Sequence, residues 1–237
     1  MNKIILLAIF FTILNAKCDL NAQKLVDSYS SIKACKNNYI IMQNGQRFIY
    51  DDGRVKSFKE LLNHPDIEDM FKFKYPKKFI WNMPKNYDPG RIRYEPLFRA
   101  IYGNSASEVK ANLVKIKWVD GRYIRVTKKE GVAKALQAVA NELKKYPRLK
   151  KYLSPIGGTF TWRYIAGTKR LSVHSFGAAI DINVKYSAYW RWSKGKPFKN
   201  KIPKIIVQTF EKHGFIWGGK WNHFDSMHFE YRPELLK

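Results

Sequence analysis

Two stretches of this chain put ionisable side chains inside runs that otherwise read as buried strand, and few folds accept that. In Ser172-Val-His174-Ser-Phe-Gly177-Ala-Ala-Ile-Asp181-Ile-Asn183, the apolar Ala178, Ile180 and Ile182 alternate with Ala179, Asp181 and Asn183. A strand here carries Asp181 on the face opposite its apolar stripe. A carboxylate in a core-type strand needs a partner or a metal, because burying it alone is costly. Gly177 permits a sharp turn that can fold His174 back towards the same face. In the second stretch, 214–231, Met227, Phe229 and Tyr231 alternate with His228 and Glu230, so His228 also sits on a strand with one apolar face. Two histidines and an aspartate make a three-ligand zinc set with a fourth position open, as catalytic zinc requires. Spacing alone does not bring the stretches together, and a single strand histidine is more often a hydrogen-bonded structural residue.

The chain can bury such a site. It has 237 residues, 45% of them hydrophobic and 15% aromatic, so disorder is not the default. Its 44 Lys+Arg against 19 Asp+Glu give a net +25, which favours polyanions such as nucleic acid, acidic lipid or an anionic wall polymer. The lysines are spread rather than blocked, so charge says little about function, and no nucleic-acid partner is expected. Lys3 and the apolar run Ile4 to Leu14 form a signal peptide of 1–16, with a cut possible as late as 22. The run is short for a membrane span, though a retained anchor is the alternative. The expected location is outside the cytoplasm, in the periplasm or cell envelope, with a monomeric chain. Cys18 and Cys35 can pair in an oxidising compartment. Membrane attachment follows only if Cys18 is lipidated, which Lys17 argues against. A cut after Ala22 leaves Cys35 alone.

Turn and cap signals set the order of elements. Tyr39–Met42 and Arg47–Tyr50 flank Asn44-Gly45, a two-residue hairpin signal. Ser57 with Glu60 and Ser105 with Glu108 are capping boxes before short helices. Five prolines between Pro65 and Pro96 predict an irregular, wrapping segment, with Pro89-Gly90 as the expected domain boundary. Val114, Ile116 and Trp118 turn at Asp120-Gly121 into Tyr123–Val126, a second hairpin. Lys129 to Tyr146 is an amphipathic helix with Val132, Leu136, Val139 and Leu143 on one stripe, and another helix runs from Pro203 to His213-Gly214. Strands and helices without a βαβ rhythm predict an α+β fold around an antiparallel sheet. The expected division is an accessory region at 23–89 and a catalytic domain at 90–237.

Ser172-x-His174-x-x-Gly177-x-Ala179-x-Asp181, followed by Trp217-Gly-Gly and Asp225-x-x-His228-Phe-Glu230, resembles the D-alanyl-D-alanine carboxypeptidase family of zinc peptidases. That family includes vancomycin-resistance D,D-peptidases and L-alanyl-D-glutamate endolysins, and shares its fold with the Hedgehog signalling domain. The resemblance is dense from about Trp162 to Pro233, thinner from Pro89 to Pro155, and absent before. It implies one zinc ion on His174, Asp181 and His228, a general base at Asp225, a transition-state arginine at Arg163 and a substrate-side serine at Ser172. The implied function is hydrolysis of peptidoglycan stem peptides, by a D,D-carboxypeptidase or a related L,D-endopeptidase. Many relatives carry Glu where Asp225 stands, so the scissile bond stays open. A zinc-bearing module without catalysis, binding wall peptide or another polyanion, is the rival reading.

One assignment pulls two ways. Strand parity puts Glu230 on the face of His228, whereas the resemblance makes Asp225 the base. Trp190, Trp192, Trp217 and Trp221 are candidates for an aromatic groove, Trp217 foremost as a substrate contact beside its glycines. His213 reads as a helix C-terminal residue, His64 as a helix end, and His223 as a loop residue, either solvated or a contact near the site.

Overall fold

A computed structural model describes residues 18–193 and 195–237. The expected signal peptide lies outside the described residues. Among them, no helix is long and apolar enough to cross a membrane.

The amino-terminal part opens with α1 (Leu20–Val26), capped by the Asp19 carboxylate, which accepts from the amides of Asn21 and Ala22. It leads into an antiparallel sheet of β1 (Ile32–Lys36), β2 (Tyr39–Met42) and β3 (Arg47–Ile49). The Asn44-Gly45 turn joins β2 to β3 as expected. The first strand escaped the sequence reading because a register shift between Ile32 and Ala34 spoils its alternation. Cys18 and Cys35 form a disulfide, 17 residues apart in sequence. Ala22 and Leu25 are fully buried, so a cut after Ala22 removes both a core residue and one half of this link. Closing a loop of this size stabilises a fold by about 3 kcal/mol. Cys35→Ser is therefore expected to lower the unfolding free energy by about that amount in urea titration. An unchanged midpoint would show that the link constrains nothing.

The capping box at Ser57 and Glu60 starts α2 (Phe58–Asn63), with both reciprocal bonds made. Beyond it the chain is irregular up to α3 (Glu95–Tyr102), where Pro96 occupies the first turn, a position that needs no amide. The helix α4 (Ala106–Ala111) follows its Ser105 cap, and β4 (Leu113–Lys117) pairs with β5 (Tyr123–Thr127) in the expected hairpin. The amphipathic helix α5 (Val132–Leu143) starts later than periodicity predicts. Glu130 and Gly131 take positive φ, which breaks the first turn away as a separate 3-10 turn. Its stripe of Val132, Leu136, Val139 and Leu143 is buried as expected. A short α6 (Lys150–Leu153) closes this half.

The last sheet carries the chemistry. Its strands β6 (Ala179–Asp181), β7 (Phe215–Trp217) and β8 (His228–Tyr231) run in the order β6-β8-β7, all antiparallel. One face packs on α7 (Lys204–Lys212), where the Phe210 ring stacks on Phe229 at 3.9 Å between centroids. The opposite face presents Asp181, His228 and Glu230. The α+β class is therefore as predicted.

The Pro89-Gly90 turn is a buried junction. A single cluster of buried side chains runs from Ala22 to Phe229, so the regions expected at 23–89 and 90–237 share a core. The Trp221 indole donates to the Pro89 carbonyl at 2.6 Å, and Arg232 donates to the Gly90 carbonyl at 2.7 Å. The Lys220 ammonium reaches the Pro76 carbonyl, and the Tyr75 hydroxyl accepts from the Trp217 amide. A proline-rich segment satisfies few bonds within itself, so its polar groups are met by the elements it wraps.

Candidate metal and peptidase site

His174 sits in a buried 3-10 turn, Val173–Phe176, whose Ser172 hydroxyl accepts from the His174 amide at 3.4 Å. The turn ends at Gly177, whose φ of 65° lies in the left-handed region, and a Cβ there would come within 2.7 Å of Leu113. Both constraints demand glycine. The turn swings His174 back over β6, as the sequence suggested. Asp181 and His228 face each other directly across the β6–β8 ladder.

These three side chains meet. His174 Nε2 lies 3.1 Å from His228 Nδ1 and 3.2 Å from Asp181 Oδ1, and His228 Nδ1 lies 3.0 Å from the same oxygen. The outer nitrogens are taken. His174 Nδ1 donates to the Thr159 carbonyl at 2.8 Å, and His228 Nε2 donates to Glu230 Oε2 at 3.0 Å. With those protons outward, each neutral imidazole turns a bare lone pair inward, beside a carboxylate oxygen. Three lone pairs converging on one point repel each other unless a cation joins them. Zinc bound at 2.0–2.2 Å to each ligand in a tetrahedron needs ligand atoms about 3.3–3.5 Å apart, close to the separations seen. The donor set therefore fits zinc.

The local charges show the same bias towards a cation. Burial opposes an imidazolium at His228, yet its bonds to Asp181 and Glu230 prevail and hold it up at about 10. Burial also disfavours the Asp181 carboxylate, but His174 and His228 hold it well below the usual carboxylate range.

Glu230 lies on the same face as His228, as parity required, but it points away from the lone pairs. It is fully buried, bonded to His228 Nε2, 3.2 Å from Arg232 and 3.6 Å from Arg93. Burial raises its pKa, and the nearby Arg93, His228 and Arg232 bring it down to about 2. A carboxylate so held orients a histidine and is a poor proton acceptor. Glu230→Gln leaves buried guanidinium groups short of a counter-charge, so it is expected to cost about 3 kcal/mol of stability. Denaturant titration checks this, and a loss below 1 kcal/mol would mean the charges are compensated elsewhere.

Asp225 stands at the other side of the cleft, its amide donating to the Gly218 carbonyl and its carbonyl accepting from the His228 amide. Its buried Oδ1 has no hydrogen-bond partner. Burial pushes the carboxyl up to about 6, with Asp181 adding to the effect and His228 opposing it. Arg163 is exposed at the mouth. Its backbone is clamped to the His174 turn, its amide donating to Ser175 Oγ at 3.0 Å and its carbonyl accepting from the Ser172 amide. Ser172, Arg163, Asp225 and the three metal-type residues all line one cleft of about 120 Å³, a volume suited to an ion and the end of a peptide.

Trp217 does not line it. It pairs in register with Phe229 and so shares that residue's core face, fully buried and stacked on Phe79. A Cβ at Gly219 would run into its indole, and one at Gly218 into the Asp225 carbonyl, so Gly219 makes room for a core tryptophan and Gly218 for the chain that carries Asp225. The aromatics at the cleft are Trp221, whose ring lies 5.6 Å from His228, and Tyr189. His223 is pinned to Asp88 at 2.6 Å, and His213 caps α7 while bonding Glu142 at 3.1 Å. Arg91, Arg93 and Arg170 also line the cleft and were not foreseen. The first two lie outside the regular strands, in the proline-rich segment, where no residue pattern points to the cleft.

A buried acid beside a cation pocket, open to solvent through an arginine-lined mouth, is the equipment of a hydrolase. Residues 166–231 match a family model of peptidases. The family is described as D-alanyl-D-alanine carboxypeptidase, and the matched segment contains His174, Asp181, Asp225 and His228 but not Arg163. It spans roughly a quarter of the chain. A search of curated proteins finds no significant match.

Proposed function

We propose that this chain is a zinc peptidase that hydrolyses peptidoglycan stem peptides, with a Hedgehog/D,D-peptidase-like catalytic fold at 90–237. The observation that carries the reading is the convergence of three histidine and aspartate lone pairs in one cleft with the unpartnered carboxyl of Asp225. His174, Asp181 and His228 would hold one zinc ion, which when bound supplies Lewis acidity and a nucleophile at neutral pH. Asp225 takes the proton of the attacking water and passes it to the leaving amine. Arg163 stabilises the negative charge that grows on the scissile carbonyl oxygen. Ser172 holds the turn that carries His174 and borders the substrate.

Asp225 and Arg163 together speak against a silent binding module, which needs neither. Export to the periplasm or cell envelope fits the Cys18–Cys35 disulfide, since such links persist in oxidising compartments. A cysteine so paired has no free thiol for lipid.

Mass spectrometry of purified stem peptides incubated with the zinc-loaded chain tests the reading. Release of D-alanine supports a D,D-carboxypeptidase and cleavage between L-Ala and D-Glu an L,D-endopeptidase, whereas intact peptides would sink the enzyme. Arg163→Lys keeps the charge but loses the planar fork. One lost charge-assisted hydrogen bond, about 1.5 kcal/mol, corresponds to roughly a tenfold fall in kcat. Zinc content and Tm should hold, and a change in KM alone would demote Arg163 to substrate binding.

A further inference from the structure

The cleft holds more positive charge than the proposed chemistry uses. Arg93 lies 3.6 Å from Glu230, and Arg91 lies 3.8 Å from Asp88 while donating to the His223 carbonyl at 3.0 Å. Arg170 has no such answer. Among the described residues it forms no ion pair, its buried Nε has no hydrogen-bond partner, and the one bond of its side chain is a 3.5 Å contact to the Arg91 carbonyl. The nearby Glu95 is already engaged, one oxygen by Arg99 and the other by the Leu171 amide. Burial, with Arg93 and Arg91 close by, pulls the Arg170 guanidinium down to about 10, so it remains charged at neutral pH. A half-buried cation with like charges around it is costly to keep, unless an anion arrives.

Position says which anion. Arg170 and Arg93 line both the metal cleft and a larger adjoining hollow of about 1030 Å³, walled by Leu62, His64 and Tyr94 from the amino-terminal side. They stand where one opens into the other. A peptide with its scissile bond in the cleft and its remainder in the hollow passes Arg170.

We propose that Arg170, flanked by Arg91, is a carboxylate-binding subsite that selects peptides carrying a free carboxylate next to the scissile bond. This rests on the peptidase reading. A guanidinium fork with a free edge matches a carboxylate in two parallel hydrogen bonds, which an amide cannot reproduce. Two sources offer that group in a stem peptide, the terminal carboxylate of D-alanine and the α-carboxylate of an internal D-isoglutamyl residue.

The test uses the zinc-loaded chain and two substrate pairs. One pair is a stem pentapeptide as free acid and as C-terminal amide. The other is the same stem with D-isoglutamate or with D-isoglutamine. In at least one pair the wild-type chain should favour the carboxylate form by about 30-fold or more in kcat/KM, the scale expected of a site whose charged donor is left unpaired by the neutral analogue. The pair that shows this names the source. Arg170→Gln should bring the ratio within about threefold, and Arg170→Lys should restore part of it. Ratios near one in both pairs, or a ratio that Arg170→Gln leaves intact, would overturn the subsite. If no peptide is cut, the peptidase reading fails separately, and calorimetry of the metal-free chain with N-acetyl-D-alanine and its amide decides the subsite. Binding of the acid alone, lost in Arg170→Gln, supports it, and equal binding of acid and amide, or no binding, refutes it.

Discussion

Alanine at His174 or at Asp181 is expected to remove zinc and peptide hydrolysis together. The three ligand atoms form a triangle with sides of 3.0 to 3.2 Å, and among the described residues the other carboxylates of the cleft, Asp225 and Glu230, do not join that cluster of ligand atoms. Losing an outer partner such as Glu230 typically costs 10- to 100-fold in metal affinity, and losing a direct ligand should cost more. The Asp181 variant also leaves two histidines facing each other with no negative charge between them. Metal analysis after dialysis, paired with a peptide assay, reads both effects. A variant holding one zinc per chain at full turnover would show that the triangle is not the metal site.

Asp225→Asn should separate chemistry from metal. Because Oδ1 of Asp225 has no partner to lose, an amide of the same size costs the fold little, and removing a buried carboxyl can raise Tm. Zinc should stay bound while kcat falls by about 100-fold or more, the usual scale for lost acid–base catalysis. Glu230→Gln should behave oppositely, with weaker stability and metal affinity but a milder loss of kcat once loaded. The reverse ranking, an inactive zinc-loaded Glu230→Gln beside a near wild-type Asp225→Asn, would transfer the base to Glu230.

Local rules carried the sequence reading where the structure is local. Alternation placed Asp181 and His228 on strands, and Gly177 marked the turn that returns His174, because side-chain period and backbone freedom are written in neighbouring residues. Parity correctly put Glu230 beside His228, yet it says nothing about which nitrogen of a histidine a carboxylate meets. Trp217 was misread for the same reason: its face depends on pairing with Phe229, a register that sequence spacing does not contain. Arg91 and Arg93 come from an irregular segment without periodicity, so nothing in their spacing aims them at the cleft. The shared core escaped for a further reason. A proline- and glycine-marked turn looks like a linker unless one knows that Ile216 and Leu235 close over Gly90.

That closure bears on how such a protein can be cut and recombined. Strand β8, which carries His228, runs straight into Arg232 and Glu234, both fully buried, and Glu234 accepts from the Tyr29 hydroxyl at 2.7 Å. The strand that carries His228 is thus tied at its far end to the loop that follows α1. A fragment starting at residue 90 strands these charges and bares the core that Ala22, Leu25 and Tyr29 cover. The segment that carries the cleft is therefore no portable cassette. Grafting it elsewhere means carrying the amino-terminal region along, and protease nicking in that region should disturb the cleft from a distance.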